Sequence, residues 1–302
     1  MSAVEPFDVV GIGQCSLDIL GRLSSFPEPD QKSELDELKY QGGGPVATAL
    51  VTLARLGVST TFCGRIGDDA AGRQIQAGLL EEHVDCQGLL VEVNASSQTS
   101  FVAVDDAGQR NIFCHRGTAT PLLASEVNTK LIRQAQVLHL DGWQHEAALA
   151  AAKLARESGI ATLLDGGSLR SRTIDLLPWI DHLVVSEKFA EQLVAGSSIE
   201  LKLKALLAYG ATAVTVTCGE HGCWTMARGG KSMHQTAFPV TVVDTTGCGD
   251  VFHGGYIYGL LQGWPLQRIV RFAAACAGLK CQQLGGRTAI PYLNEVMSYL
   301  KQ

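Results

Sequence analysis

The chain has 302 residues, with 24 Lys and Arg against 30 Asp and Glu, for a net charge of −6. Hydrophobic residues make up 46% and charged residues 18%, a globular balance that excludes long disordered tails. The acidic residues are spread along the chain and leave no basic stripe for a phosphate backbone, so nucleic acid is not an expected partner. No apolar run approaches the roughly 18 residues that cross a bilayer, and the opening MSAVEPFDVV lacks the basic and then apolar layout of an export signal. The expectation is cytoplasmic residence without a membrane partner. Nine cysteines, an odd set in a long chain, are expected as reduced thiols. There is no CxxC pair, and Cys218 with Cys223 and Cys276 with Cys281 lack His partners at zinc spacing.

In chain order, FDVVGI (7–12) is a short apolar run ending in glycine, which predicts a buried parallel strand. The stretch from about Gln14 to Gln41 is more polar, carries Pro27 and Pro29, and reads as an excursion from the core. After Gly42, Gly43 and Gly44, Pro45 suits a first helical position, and VATALVTLARLG predicts a tightly packed helix stopped by Gly57. A strand over Thr60 to Cys63 and a helix from about Asp68 to Glu82 follow. Between Gln98 and His115, SFVAV and QRNIFCH flank the turn signal DDAG and alternate like an antiparallel hairpin of the same appendage. VLHLD, ATLLD, HLVVSE and AVTVTCG are then four apolar runs separated by helical periodicity, the pattern of a doubly wound parallel sheet.

Ligands of such sheets bind outside the carboxyl ends of the strands, which makes Asp141, Asp165, Ser186, Glu187 and Thr217 candidates by position. For Asp165 and Ser186, a helix cap or turn carboxylate is the competing reading. The most informative stretch is VVDTTGCGDVFHGGYIYGLL (242–261). It predicts a strand closing at Val243, a glycine-bearing turn and a buried helix after Asp250. Backbone N–H groups of Gly247, Cys248, Gly249 and Asp250 would gather at that helix N-terminus, where they suit the charge on a transferring phosphoryl group. A carboxylate beside an anion site is awkward unless it has a task such as accepting a hydroxyl proton; the alternative is that Asp250 caps the helix.

DTTGCGD resembles the DTxGAGD signature of the PfkB, or ribokinase-like, carbohydrate kinases, with support from QGGGPVATALVTLARLG and GRIGDDAAG far upstream. The resemblance covers essentially the whole chain. It implies one kinase domain over 1–302, a three-layer α/β/α sandwich around a mostly parallel sheet, and a small β lid over about 14–44 and 96–119. It further implies ATP-dependent phosphorylation of a sugar, sugar acid or related polyol, with a nucleoside as alternative acceptor, and a homodimer formed through the lid. Asp250 aligns with the general base and Gly247 to Asp250 with the anion hole, Cys248 replacing the usual alanine. Asp18 matches an aspartate that holds sugar hydroxyls, and Gly43 and Asp141 match further substrate contacts. Thr217, Gly219 and Gly222 resemble the nucleotide-binding turn, with Ser186 and Glu187 where an element organising water around Mg2+ usually stands. FAAACAGLK would wall the adenine. Asp244, Thr246, Lys280, Gln283 and Gly285 match ligand positions for K+, mostly through backbone carbonyls.

Within the family, GGGPVATA, VVDTTGxGDVFHG and LKCxxxGGRxxIP look most like the branch that includes sulfofructose kinases, in which Lys32 matches a basic substrate contact. Trp143 and Cys114 stand where that branch places an arginine and an asparagine, which argues against sulfofructose itself. Three rival readings are weaker. Gly11 and Gly13 begin a dinucleotide fingerprint, but Ser16 replaces its last glycine and no helix follows. Gly230, Lys231 and Ser232 end like a P-loop, but Thr225 replaces its first glycine and Pro239 interrupts the helix it would need. A catalytically silent sugar-binding protein on the same fold is disfavoured by the retained Asp250 and glycine turn.

Overall fold

The apolar run at the start forms β1 (Val9–Ile12), and the polar excursion after it forms β2 (Ser16–Arg22) and β3 (Glu37–Gly43). The structure is a computed structural model that describes residues 6–106 and 109–301. Part of the export-signal reading (residues 1–5) and of the DDAG turn (107 and 108) therefore lies outside the described residues. Helix α1 (Pro45–Arg55) opens on the expected proline, and β4 (Thr60–Gly67) runs past the expected end at Cys63. Helix α2 (Ala70–Glu81) is capped by Asp69, whose carboxylate accepts from Gly72 N. Next come β5 (Val84–Glu92), β6 (Thr99–Val104), β7 (Arg110–His115), α3 (Thr129–Gln134) and β8 (Val137–Leu140). The alternation continues through α4 (His145–Glu157), β9 (Ala161–Gly166), β10 (His182–Ser186), α5 (Glu187–Leu193), α6 (Ile199–Leu207) and β11 (Ala213–Thr217). The remainder is β12 (Cys223–Ala227), β13 (Met233–Gln235), α7 (Cys248–Leu261), α8 (Leu266–Lys280) and α9 (Leu293–Tyr299).

Nine strands form one sheet in the order β13-β12-β11-β10-β9-β8-β1-β4-β5, parallel except for β12 and β13 at one edge. Successive residues of β1 point to opposite faces, as the strand period requires. Val9 packs with α1, α2, α7, α8 and α9, whereas Val10 and Ile12 pack with α3 to α6. This is the three-layer sandwich that the signature motifs imply. Helix α7 is apolar on every side because it is enclosed: Gly254 lies against Thr52 of α1, and Gly255 against Ala273 of α8. The lid is a separate four-stranded sheet, β3-β2-β6-β7, with one parallel pair, β2 with β6.

Two expectations about local structure need correction. No strand precedes Asp244. The β-branched run reads as one, but Val243 N and Asp244 N both donate to the Cys281 carbonyl at the end of α8, and Val242 is exposed. A tertiary anchor overrides propensity here. Helix α7 begins at Cys248 rather than after Asp250, so Asp250 sits within its first turn. The readings of Gly230 to Ser232 as a surface turn and of Ser16 as non-helical agree with the β12–β13 connection and with β2.

Candidate active site

The carboxyl ends of β8, β9, β10 and β11 lie side by side, so Asp141, Asp165, Ser186 and Thr217 follow one another along a single rim. The N-terminus of α7 meets that rim. Gly247 is its N-cap, in the left-handed region at φ 77°, which favours glycine. No side chain caps the helix, so the reading of Asp250 as a cap fails. Cys248 N bonds Thr245 O at 3.3 Å, while Gly249 N and Asp250 N have no acceptor among the described residues. Free amides at the positive end of a fourteen-residue helix are electrostatically suited to a negative charge.

The half-buried Asp250 carboxylate faces those of Asp165, Asp18 and Asp141. Burial, then the Asp165 charge, pushes it up to about 7. Burial and the Asp141 charge likewise push Asp165 up to about 7. The pair titrates jointly near neutrality, where the two carboxyls share about one proton. Asp165 also lies 3.3 Å from His253 Nδ1, and His253 Nε2 is 3.1 Å from the Val184 carbonyl. Because that carbonyl only accepts, Nε2 carries the ring proton, and Nδ1 of the neutral ring can accept from a protonated Asp165.

Asp18 comes from lid strand β2 and accepts from Ser16 Oγ at 2.8 Å. Burial raises its pKa against the pull of Ser16 and the Arg287 guanidinium. Gly43 admits this carboxylate: a Cβ at that position would lie 2.0 Å from Asp18 Oδ2. Asp141 accepts Gln14 N at 2.8 Å and Trp143 N at 2.9 Å, with the Val46 backbone also acting on it, so it holds the turns that meet at this rim. Beside it, Arg170 and Arg116 lie over the Trp143 ring at 3.8 and 4.3 Å from its centroid. Lys32 stays on the exposed lid loop between β2 and β3, with no ion pair among the described residues.

On the nucleotide side, Thr217 ends β11, and Gly219 and Gly222 bound the following turn with φ of 58° and 80°. Ser186 Oγ accepts Phe189 N at 3.0 Å and donates to Gly167 O at 2.8 Å, so its hydroxyl is a helix cap, the competing reading for that residue. Glu187 is exposed in the first turn of α5. Cys248 Sγ touches Cys281 Sγ at 3.0 Å, which lowers Cys281 to about 7 and raises Cys248; all nine cysteines are free thiols.

The expected potassium ligands gather at one place but are arranged for a different cation. Asp244 is buried, its Oδ1 accepting from Thr246 N and Oγ1 and its Oδ2 from Gly285 N. Burial pushes its pKa up, but the Lys280 charge and these hydrogen bonds outweigh that and hold it below the usual range. Lys280 is wholly buried, and its ammonium donates to the Asp244 carbonyl at 2.9 Å. Gln283 is exposed. A backbone oxygen expected to face K+ therefore already faces a positive charge, which disfavours a second cation beside it.

Sequence reasoning gave no role to Arg287, His253 or Arg170. Arg287 is buried, donates to Gly43 O at 3.2 Å and supplies the cation nearest Asp18. Its partner lies 244 positions away, and no local spacing signals such a contact.

The chain is similar to known proteins along nearly its whole length. A 5-dehydro-2-deoxygluconokinase of Shouchella clausii is 26% identical, covering 98% of this chain and 96% of its own. A crystal structure from Agrobacterium tumefaciens superposes with a TM-score of 0.90 at 28% identity, covering 98% of each chain. Arabidopsis thaliana ribokinase complexed with ribose and ATP superposes at 0.86 with 25% identity, covering 98% of this chain and 99% of its own. The model for the pfkB family carbohydrate kinases matches residues 7–293, and the chain belongs to that family.

Proposed function

We propose that this protein transfers the γ-phosphoryl group of ATP to a hydroxyl of a small sugar or sugar acid, with Asp250 as general base. The observation that carries this reading is the first turn of α7. Two N–H groups without acceptors among the described residues and a carboxylate that does not cap the helix share one helix end, facing the carboxylates of Asp165, Asp18 and Asp141. Asp18 and Asp141 would grip the acceptor, since a carboxylate can take hydrogen bonds from neighbouring hydroxyls. Ionised Asp250 takes the proton of the attacking hydroxyl, and the amides of Gly247 to Asp250 receive the charge that builds on the phosphoryl group. The turn at Thr217, Gly219 and Gly222 would seat the nucleotide.

Magnesium travels with ATP and neutralises charge on its phosphates. Glu187 is the acidic group this chain offers toward its water shell. Arabidopsis ribokinase with bound ribose and ATP supports the pairing of a sugar site with a nucleotide site on this fold. The charge of Arg170 is offset by Asp141 and Asp165, so Arg116, which has no ion pair among the described residues, is the group that favours a sugar acid over a neutral sugar.

The test is Asp250→Asn. Turnover should fall about 10²- to 10⁴-fold with nucleotide affinity nearly intact, read by coupled ADP release over a panel of sugars, sugar acids and nucleosides. A rate near wild type removes Asp250 from the base role.

A further inference from the structure

The resemblance implies that the Asp244 carbonyl faces a potassium ion, and in this structure the ammonium of Lys280 faces that carbonyl instead. Its aliphatic stem is enclosed at the end of α8, and its head donates to the Asp244 carbonyl at 2.9 Å. The C-terminal end of that helix carries partial negative charge, which favours a cation there. No carboxylate lies within ion-pair distance of Lys280 among the described residues, and the Asp244 carboxylate, whose pKa its charge lowers, compensates it at longer range. The loop it holds leads straight to Gly247 and the free amides. Thr246 and Gly285 bind the carboxylate of the same Asp244, so one residue is clamped through both its side chain and its backbone.

We propose that Lys280 is a tethered monovalent cation, which supports the anion-hole loop in place of potassium and makes the enzyme independent of added K+. An ammonium and K+ carry the same charge and both bind carbonyl oxygens. The tethered ion is always present, whereas a free one arriving beside it would meet like-charge repulsion. The inference rests on the proposed kinase reading, because the supported loop matters only if its amides receive a phosphoryl group.

The experiment compares wild type in tetramethylammonium chloride with wild type in potassium chloride at equal ionic strength. Expected are kcat values within about twofold and an unchanged Kd for MgATP measured by calorimetry, which needs no acceptor. Stimulation by K+ of about tenfold or more in either quantity overturns the proposal. Lys280→Met removes the charge at similar volume. It should lose on the order of 10²-fold in kcat in tetramethylammonium and recover in part with K+ or ammonium ion. A folded Lys280→Met protein with full activity in tetramethylammonium also overturns it. If the variant does not fold, the wild-type comparison still decides. Absence of phosphoryl transfer to every acceptor would instead defeat the kinase reading and leave the calorimetric comparison standing.

Discussion

At the scale of single residues, the cleft is governed by carboxylates crowded close enough to compete for one proton. A general base must be ionised, and Asp250 is pushed up to about 7, so kcat/KM should fall as pH drops through that region. Asp165→Asn removes the main like charge facing Asp250. The acid limb of the pH profile should then move down by about one unit, and an unmoved limb would separate the two groups. Asp250 was legible as a candidate because its glycine-bearing turn has a physical reason to stand before a helix, whereas Asp18, inside β2, was singled out only through the family resemblance. The enclosure of the Lys280 side chain was not legible, for an equally physical reason. A lysine in the last turn of a helix ordinarily faces water and complements the dipole, and nothing local reveals that this one is enclosed.

At the scale of elements, the lid has two unlike faces set by the strand period. Asp18, Ser100 and Cys114 pair across β2, β6 and β7 on the face that meets the sugar site. One residue along, Tyr40, Ile19, Phe101 and Phe113 form an apolar row across all four strands, with Tyr40 58% and Phe113 63% exposed. A second copy of the chain, as the proposed dimer requires, would cover that row. Phe113→Glu should therefore shift the protein to monomer in light scattering, and a dimer that survives the change would place the interface elsewhere. Arg110 of β7 donates to Thr245 Oγ1 and Gln41 of β3 to Thr288 Oγ1, so the lid is tied to the loops that flank the anion hole. The parallel strands were readable as apolar runs. Strand β5 was not, because it is the sheet edge and half its residues meet water, and the strand expected before Asp244 does not form because its amides bond α8 instead.

For the molecule as a whole, the price of the site is stability. Asp165 and Asp250 have folded pKa values raised above those of the unfolded chain, so the folded state binds more protons between about pH 4 and 7. Their effect is least harmful below pH 4, and stability is lost as pH rises through 7. Asp250→Asn, the variant expected to lose turnover, should accordingly raise Tm by a few degrees at pH 8, by less near pH 5 and not at all near pH 3 in scanning calorimetry. Fold class and layer order followed from the alternation of elements along the chain, whereas this opposition between activity and stability arises only when strands distant in sequence bring their carboxylates together. Ligands that resettle the fractional charge in the cleft must also exchange hydrogen ions with the medium. Near neutrality, the heat of nucleotide or sugar association should differ between Tris and phosphate buffers in proportion to their ionisation enthalpies, and the slope would count the hydrogen ions moved per binding event.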